Sequence, residues 1–558
     1  MPKKKKPKLP YSFTTTEDAL SSDTETSGVP RLDMSSAKQE AEALRMRKRG
    51  QPFVALRVPL FLTLTKRWTL EHIYGARNAY EHVIVQRYNG SGFTFCGSEN
   101  GAGCDHNRST QPLEELIESM DDASVEERRV YAAYESEAAV TAFKEATGSC
   151  AALGEPAAAD VEKVQAIMRI GFERVSYNCH HDYNDNVILA LHGRREVVLW
   201  PPSEGPRLYL HDDEHPSARQ SRINFDAPDY AAYPLAASAQ ALRLTLEPGE
   251  ALVLPMLWFH HIRSSVSPAA LGAGERPPYW LAVNFFCVRS ITGQMARAAK
   301  LSPWNVQPAL HFGAAAFNAS EFGKAATHYR AATRLRPSLP SAHFNTALSL
   351  RHDGGRLDEA AAPLRHALEL APTYPDAIHE KAQQKIAVSA YGEAVHLLRR
   401  VRKLEPQHEP TRAALPEQLA NHGGALLASG DGRGAEKLIR SALKLNPQHS
   451  NSYNNLAAAL SVSGDLPTAS RAYRAALSLN PADSMLYFRL GSVLAQLEGG
   501  LFEASVALTH STLLLPHLAH AYYNLGRVAS LSNEPETAKA HFAMAASLDP
   551  VKFAEPKK

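Results

Sequence analysis

The chain has 558 residues, 44% of them apolar and 21% charged, ordinary proportions for globular protein with room for two or three domains. Sixty Lys and Arg against 58 Asp and Glu leave a net charge of +2, so no global electrostatic signature of nucleic-acid binding is present, although a local patch stays open. No apolar run approaches the roughly 18 residues that a membrane helix needs, and none of the five cysteines (Cys96, Cys104, Cys150, Cys179, Cys287) forms a Cys-x-x-Cys pair. Neither a membrane span, a zinc site nor a disulfide framework is therefore expected, and a reducing compartment is the simpler reading.

Residues 1–50 are rich in Ser, Thr, Lys and Glu and poor in apolar positions, which predicts a disordered tail. Its basic start has no apolar core behind it, so it does not read as a secretory signal. Lys3, Lys4, Lys5, Lys6 and Lys8 form a compact run that reads equally as a nuclear-import signal or as a solvated tail, leaving nuclear and cytoplasmic locations both open. From Gln51 the pattern changes. Phe53–Leu64 predicts strand broken at Pro59, Trp68–Tyr74 helix, and His82–Arg87 strand, with a turn at Asn89-Gly90-Ser91-Gly92. Residues 112–170, rich in Ala and Glu, predict mostly helix. Residues 171–290 return to short strands. Val187–Leu191 and Glu196–Trp200 flank His192-Gly193-Arg194-Arg195 and predict a hairpin, Leu246–Glu250 a turn, and Tyr279–Val288 a further strand. Short strands joined by turns suggest a jelly roll rather than a parallel sheet.

Beyond Pro303 the composition turns to Ala- and Leu-rich helix pairs. Pro337, Pro372, Pro406, Pro447, Pro481, Pro516 and Pro550 lie 35, 34, 41, 34, 35 and 34 residues apart. A period of 34 is that of the tetratricopeptide (TPR) repeat. Gly313, Ala325, Tyr329 and Ala332 before Pro337, and Gly526, Ala538, Phe542 and Ala545 before Pro550, occupy the small and aromatic positions of that repeat. Seven repeats are expected over residues 305–550, with an insertion in the fourth, forming an all-α solenoid.

The chemistry-bearing stretch is Cys179-His180-His181-Asp182-Tyr183-Asn184-Asp185-Asn186. On a strand, residues i and i+2 share a face, so His180 and Asp182 can aim at one metal ion. His260, at the end of Leu254–His261, can supply a third ligand. Two histidines and a carboxylate on one side leave three positions open, the facial triad of non-haem Fe(II) oxygenases. An isolated His-x-Asp is weak support, and the surrounding motifs carry the argument further. They are Asn186, Gly193-Arg194-Arg195, Pro201-Pro202, Leu208-Tyr209, Asp226-Ala227-Pro228-Asp229, Tyr233-Pro234, Pro248-Gly249-Glu250, Pro255-Met256-Leu257-Trp258-Phe259-His260 and Val283-Asn284-Phe285.

In order and spacing, residues 51–295 resemble the JmjC (cupin-like) Fe(II)- and 2-oxoglutarate-dependent hydroxylases. Two branches are nearest, the asparaginyl hydroxylases of hypoxia signalling and the tRNA hydroxylases of the wybutosine pathway. The resemblance implies a multidomain chain with a double-stranded β-helix (jelly roll or cupin), decorated by helices and followed by the TPR solenoid. It implies Fe(II) held by His180, Asp182 and His260, with 2-oxoglutarate as co-substrate and O2 as oxidant. By position, Arg195 replaces the family lysine that pairs with the distal carboxylate of 2-oxoglutarate, and Tyr131 and Tyr177 offer hydroxyls nearby. Asn186 and Asn284 match asparagines lining the co-substrate pocket. Tyr177 stands where the family often has Thr.

The loop His211–His215 reads as solvated rather than as a second metal cluster, and Cys104-Asp105-His106 lacks further spaced ligands. In the repeats, Asn345, Asn421, Asn455 and Asn524 recur at one first-helix position facing the concave side. They resemble the asparagine ladders with which some TPR domains hold a peptide backbone, or they serve helix packing. The functional expectation is a dioxygenase that hydroxylates a protein side chain, the repeats recruiting substrate or partner. The alternatives are a wybutosine-type tRNA hydroxylase and a non-enzymatic scaffold with an inert jelly roll. Lysine demethylation and oligomeric state stay open.

Overall fold

The structure is a computed structural model that describes residues 28–75, 83–88, 106–120, 123, 130–155, 158, 161–213, 215, 217–266 and 278–553. The lysine run, the turn at residues 89–92 and the loop bearing Cys104 lie outside the described residues. The chain divides into two compact units, residues 1–315 with 334–336, and residues 316–333 with 337–558. Among the described residues no helix is long and apolar enough to cross a membrane.

In the first unit the elements run β1 (Arg31–Asp33), α1 (Ala37–Lys48), β2 (Phe53–Leu56), α2 (Pro59–Arg67), α3 (Leu70–Gly75), β3 (Val83–Tyr88), β4 (His106–Gln111), α4 (Leu113–Ser119), β5 (Val130–Glu135) and α5 (Glu137–Ser149). They continue as β6 (Val161–Gly171), β7 (Val175–His180), β8 (Asp185–His192), β9 (Arg194–Trp200), β10 (Leu242–Leu246), β11 (Ala251–Leu254), β12 (Phe259–Ser265), β13 (Trp280–Arg289) and α6 (Ile291–Leu301). One sheet is ordered β1-β2-β11-β8-β13-β6-β5-β3-β4 and the other β10-β9-β12-β7. Strands β6 to β13 thus contribute four to each sheet, the double-stranded β-helix of a cupin.

Between the sheets lie Tyr177, Ile188, Val197, Leu199, Leu244, Leu252 and Ile262, supplied by alternate residues of their strands. The other face of the larger sheet is covered by helices. There Phe285 stacks between Phe61 and Phe143, with ring centroids 6.0 and 4.6 Å away. With both faces covered, β13 reads as an unbroken apolar run, Trp280-Leu281-Ala282-Val283, rather than as an alternation.

Several expectations are corrected. Residues up to 50 are not uniformly without structure. β1 pairs in parallel with β2, α1 buries Ala43 and Met46, and the Gly50 carbonyl accepts from Trp258 Nε1. A few apolar anchors inside a polar stretch suffice once a partner surface exists. Pro59 does not merely break a strand; it opens α2 at its first position, where its missing N–H costs nothing. The stretch from 112 to 170 contains two strands, β5 and β6, which pair with each other. The Ala- and Glu-rich sequence around them masked the alternation that burial imposes. The predicted hairpin at Gly193 is instead a corner between sheets. β8 pairs with β11 and β13, whereas β9 pairs with β10 and β12. A single intervening residue is too short for a two-residue hairpin loop. Gly193 makes the corner with φ of +73°, and a Cβ there would stand 2.5 Å from the Trp280 Cβ.

In the second region the helices follow the 34-residue period as seven successive pairs. They are α7 (Gln307–Asn318) and α8 (Phe322–Leu335), α9 (Pro340–His352) and α10 (Leu357–Leu370), α11 (Pro375–Ala387) and α12 (Tyr391–Leu404), and α13 (Glu409–Ala428) and α14 (Gly432–Leu445). Then come α15 (Ser450–Ser463) and α16 (Leu466–Leu479), α17 (Ser484–Leu494) and α18 (Leu501–Leu514), α19 (Ala519–Leu531) and α20 (Pro535–Leu548), before the short α21 (Pro550–Phe553). The small consensus residues permit close helix approach: a Cβ on Gly526 of α19 would stand 2.8 Å from the Phe542 ring of α20. The insertion in the fourth repeat lengthens α13 to 20 residues. It precedes Pro416, which occupies the place where Pro340 and Pro375 start α9 and α11. Seven extra residues are about two helical turns, so the buried face keeps its direction.

Candidate metal centre

β7 and β12 are antiparallel neighbours in which His180 stands directly opposite His260. Their rings lie 4.2 Å apart between centroids. Asp182 is not on the strand, as the i, i+2 argument assumed, but in the turn just past its end. Two backbone contacts hold that turn. The Asp182 carbonyl accepts from Leu257 N at 2.8 Å, and the His181 N–H donates to the Arg219 carbonyl at 3.3 Å. Leu257 adopts φ of +67°, a left-handed conformation that costs a β-carbon residue about 1–3 kcal/mol. That strain sits in the turn that delivers His260.

The ligand atoms of His180, Asp182 and His260 all lie within 4.8 Å of one another, and among the described residues no other such group of three exists. His260 Nε2 is 3.7 Å from Asp182 Oδ2. The Nδ1–H of His180 donates to the Asn178 carbonyl at 2.7 Å, and that of His260 to the Trp258 carbonyl at 3.1 Å. A carbonyl can only accept, so Nδ1 carries the proton on both rings and each Nε2 lone pair faces the common point. Burial, and then the neighbouring His260, push His180 down to about 3, although Asp182 opposes them. Burial also lowers His260. Burial alone would raise Asp182; His180, His260 and Arg219 reverse that and hold it below the usual carboxylate value. Two neutral imidazoles and one carboxylate are the protonation states that metal ligation requires.

The three side chains open onto a cavity of about 310 Å³. Its walls include Arg169, Tyr177, Arg195, Ile262, Asn284 and Phe286. Arg195 is 1% exposed, its guanidinium 5.3 Å from the Trp280 ring centroid, and its Nε has no hydrogen-bond partner among the described residues. Burial pushes Arg195 down to about 10, while Tyr177 opposes and Arg169 reinforces the shift. Arg169 lies over the Tyr177 ring at 5.4 Å. Burial raises the Tyr177 phenol, and the two arginines lower it in part. Asn284 Nδ2 reaches Asn186 Oδ1 at 3.5 Å, leaving Asn284 Oδ1 and Asn186 Nδ2 unpartnered among the described residues.

The structure therefore brings Tyr177, Arg195 and Asn284 to the same cavity as the three ligands. Asn186 stands one step behind Asn284, against a smaller cavity of about 20 Å³. The backbone of Tyr131 lies in β5 opposite Gly171 of β6, not in a helix, and its side chain is outside the described residues. His211 and His215 stack on each other at 4.4 Å between centroids and, among the described residues, form no metal-holding group of three.

Sequence reasoning missed Arg169, Arg219 and the role of Asp185. Arg219 Nη1 is 3.6 Å from Asp182 Oδ1. Asp185 accepts from Met256 N at 3.1 Å and from Arg297 at 2.9 and 3.1 Å. It thereby ties the start of β8, the turn before His260 and α6 together. Arg169 was legible in principle: Gln165, Ile167 and Arg169 alternate with the buried Ala166, Met168 and Ile170.

In the repeats, Asn455 Nδ2 donates to the Ala420 carbonyl at 3.2 Å, Asn524 Nδ2 to Ser492 Oγ at 2.8 Å, and Asn421 Nδ2 to Gln418 Oε1 at 3.2 Å. Asn345, at the same repeat position on α9, is half-buried.

Fold and ligand triad together define a cupin-type protein with a site able to hold a metal ion. Residues 39–292 match the family described as cupin-like domain, and residues 311–375, 438–469, 459–508 and 519–552 match tetratricopeptide repeats. The chain is thus similar to cupin-like proteins over residues 39–292, some of them named as JmjC proteins, and to TPR proteins beyond. It is similar to "tRNA wybutosine-synthesizing protein 5" of Gallus gallus, 33% identical over 106 residues, 19% of this chain and 32% of that protein. It is also similar to human "Bifunctional peptidase and (3S)-lysyl hydroxylase JMJD7", 32% identical over 126 residues, 19% of this chain and 40% of that one. "Lysine-specific demethylase JMJ31" of Arabidopsis thaliana is 31% identical over 108 residues, 19% of each chain. The chain thus spans about a third of the length of the first of these relatives.

Proposed function

We propose that the chain is an Fe(II)- and 2-oxoglutarate-dependent dioxygenase that hydroxylates a protein side chain, its TPR repeats recruiting the substrate or a partner. The observation that carries this reading is a His-Asp-His group facing a cavity that is also lined by a buried Arg195 with no carboxylate partner among the described residues. The residues fit both groups. His180, Asp182 and His260 would hold iron, and Arg195 would pair with the distal carboxylate of 2-oxoglutarate through its planar fork. When bound, Fe(II) supplies the O2 activation that couples conversion of 2-oxoglutarate to succinate and CO2 with insertion of one oxygen atom into a substrate C–H bond.

The chain's own residues do the rest. Asn178 and Trp258 carbonyls fix the imidazole tautomers, Leu257 and Asp185 hold the ligand-bearing turns, and Ile262 and Phe286 keep water from the cavity wall. Tyr177 and Asn284 would orient the co-substrate. Four asparagines at one repeat position support peptide recruitment, although three of them already donate within the solenoid and Asn455 Oδ1 also accepts from Asn454 Nδ2, so the carbonyl oxygens of Asn421 and Asn524 would be the groups offered to a peptide.

A second reading, a tRNA-base hydroxylase, is favoured by the relatives named for wybutosine synthesis and by the exposed Arg219 beside the cavity. The two separate in one experiment. The iron-loaded chain is incubated with 2-oxoglutarate and either the proteins retained by its repeats or total tRNA, and products are read by mass. An added oxygen on a retained protein is the expected outcome. An added oxygen on a tRNA nucleoside alone would replace the first reading by the second.

A further inference from the structure

Among the described residues lining the cavity, Asp182 is the one acid, whereas Arg169, Arg195 and Arg219 are three cations. Arg219 stands beside Asp182 at the metal end. The other two guanidiniums have no carboxylate partner among the described residues. They are cross-linked through aromatic side chains, Arg169 by the face and hydroxyl of Tyr177 and Arg195 by the face of Trp280. Among the described residues Nε of each lacks a hydrogen-bond partner, and so does the fully buried hydroxyl of Ser264, the cross-strand neighbour of Arg195 on β12. Ser264 shares the inward face of β12 with His260 and Ile262. A buried guanidinium without a counter-ion, as at Arg195, destabilises the empty fold, and the half-buried Arg169 adds like charge beside it. An anion supplied by a ligand removes that cost. A carboxylate has two oxygens and about four lone-pair sites, so one carboxylate can accept from two guanidiniums at once.

We propose that Arg169 and Arg195 jointly bind the distal carboxylate of a 2-oxo dicarboxylate, and that Arg169, on β6, is the residue that sets the preference for a dicarboxylate over a monocarboxylic 2-oxo acid of the same length. This rests on the co-substrate reading above and adds to it a second cation from a different strand. The chemistry that would recognise the ligand is charge on the end distant from the metal, not chain length or shape.

The test uses the full chain loaded with Mn(II), with calorimetric titration of 2-oxoglutarate and of 2-oxopentanoate, which carries a methyl group where the distal carboxylate would be. Wild type, Arg169→Met and Arg195→Met are compared, with Mn(II) affinity and thermal unfolding as checks that each variant is folded. Arg169→Met is expected to weaken 2-oxoglutarate about tenfold, the size of one charge-assisted hydrogen bond. It is expected to leave 2-oxopentanoate within about twofold, and Arg169→Lys should recover part of the loss. Should Arg169→Met not fold, Arg169→Gln is read in the same way. An unchanged 2-oxoglutarate affinity in a folded Arg169 variant overturns the proposal while the co-substrate reading survives. So does an equal loss for both acids, which marks a merely structural residue. Failure of the wild type itself to bind 2-oxoglutarate overturns the co-substrate reading and this proposal with it.

Discussion

The recurrent asparagines of the repeats and the polar groups around the cupin cavity are satisfied differently. In the repeats, the recurrent asparagines donate to neighbours within the solenoid, Asn455 to the Ala420 carbonyl and Asn524 to Ser492. In the cupin-like unit, Arg195, Asn284 and Ser264 each keep a buried polar atom without a partner around one cavity. A satisfied buried group adds to stability, whereas an unsatisfied one subtracts from it and is retained where a ligand completes it. The difference teaches where to look for chemistry: the cupin cavity holds polar groups that packing does not explain.

That contrast can be broken most sharply at Arg195. Arg195→Met is expected to weaken 2-oxoglutarate about a hundredfold, since it removes a desolvated partner of a charge (about 3 kcal/mol). The same substitution should leave the ligand-free chain equally or more stable, because an uncompensated buried charge is gone. A loss of ligand-free stability would mean that the arginine already has a structural partner. Asp185 is the opposite case inside the same unit. Its carboxylate is fully engaged by Arg297 and Met256 N, so Asp185→Asn should destabilise the fold by about 2 kcal/mol, less than a fully buried pair because the group is partly exposed. Urea unfolding with unchanged midpoint would contradict it. In the repeats, Asn455→Ala should cost about 1 kcal/mol in the same measurement, one ordinary hydrogen bond. A neutral result would free that asparagine for a ligand and weaken the contrast.

The smallest effect concerns pH. His180 is held down to about 3 and His260 below its ordinary value, both chiefly by burial. A protonated ring cannot ligate, so depressed values move proton competition to lower pH. Two ordinary imidazoles would lose metal affinity about tenfold between pH 7.5 and 6. Here the loss should stay under about threefold, as measured by Mn(II) titration at each pH. A tenfold fall would show that the rings are not held neutral.

Much of this was legible in the sequence, for physical reasons. The repeats announce themselves because stacking requires the same small residues every 34 positions, and Gly526 against Phe542 shows why. The ligand motif was legible because His180 and His260 sit at strand ends where side-chain direction follows from position. What composition concealed was non-local pairing. β5 and β6 read as helix because they sit in an Ala- and Glu-rich stretch, and only the partner strand chooses between the two states. With β6 misread, the alternation that brings Arg169 into the cavity was invisible. The corner at Gly193 read as a hairpin because turn residues mark a reversal without saying which sheet receives the next strand. The brace of Asp185, Met256 and Arg297 joins segments about 70 and 110 residues apart, which no local pattern encodes.

The most direct test of the central claim is succinate release. The chain is purified without oxygen, loaded with Fe(II), checked for 2-oxoglutarate binding and then exposed to air, wild type beside Asp182→Ala. The account predicts that wild type binds 2-oxoglutarate and releases succinate, slowly without its substrate, and that Asp182→Ala does neither. Wild type that fails to bind 2-oxoglutarate and releases no more succinate than the variant would contradict it.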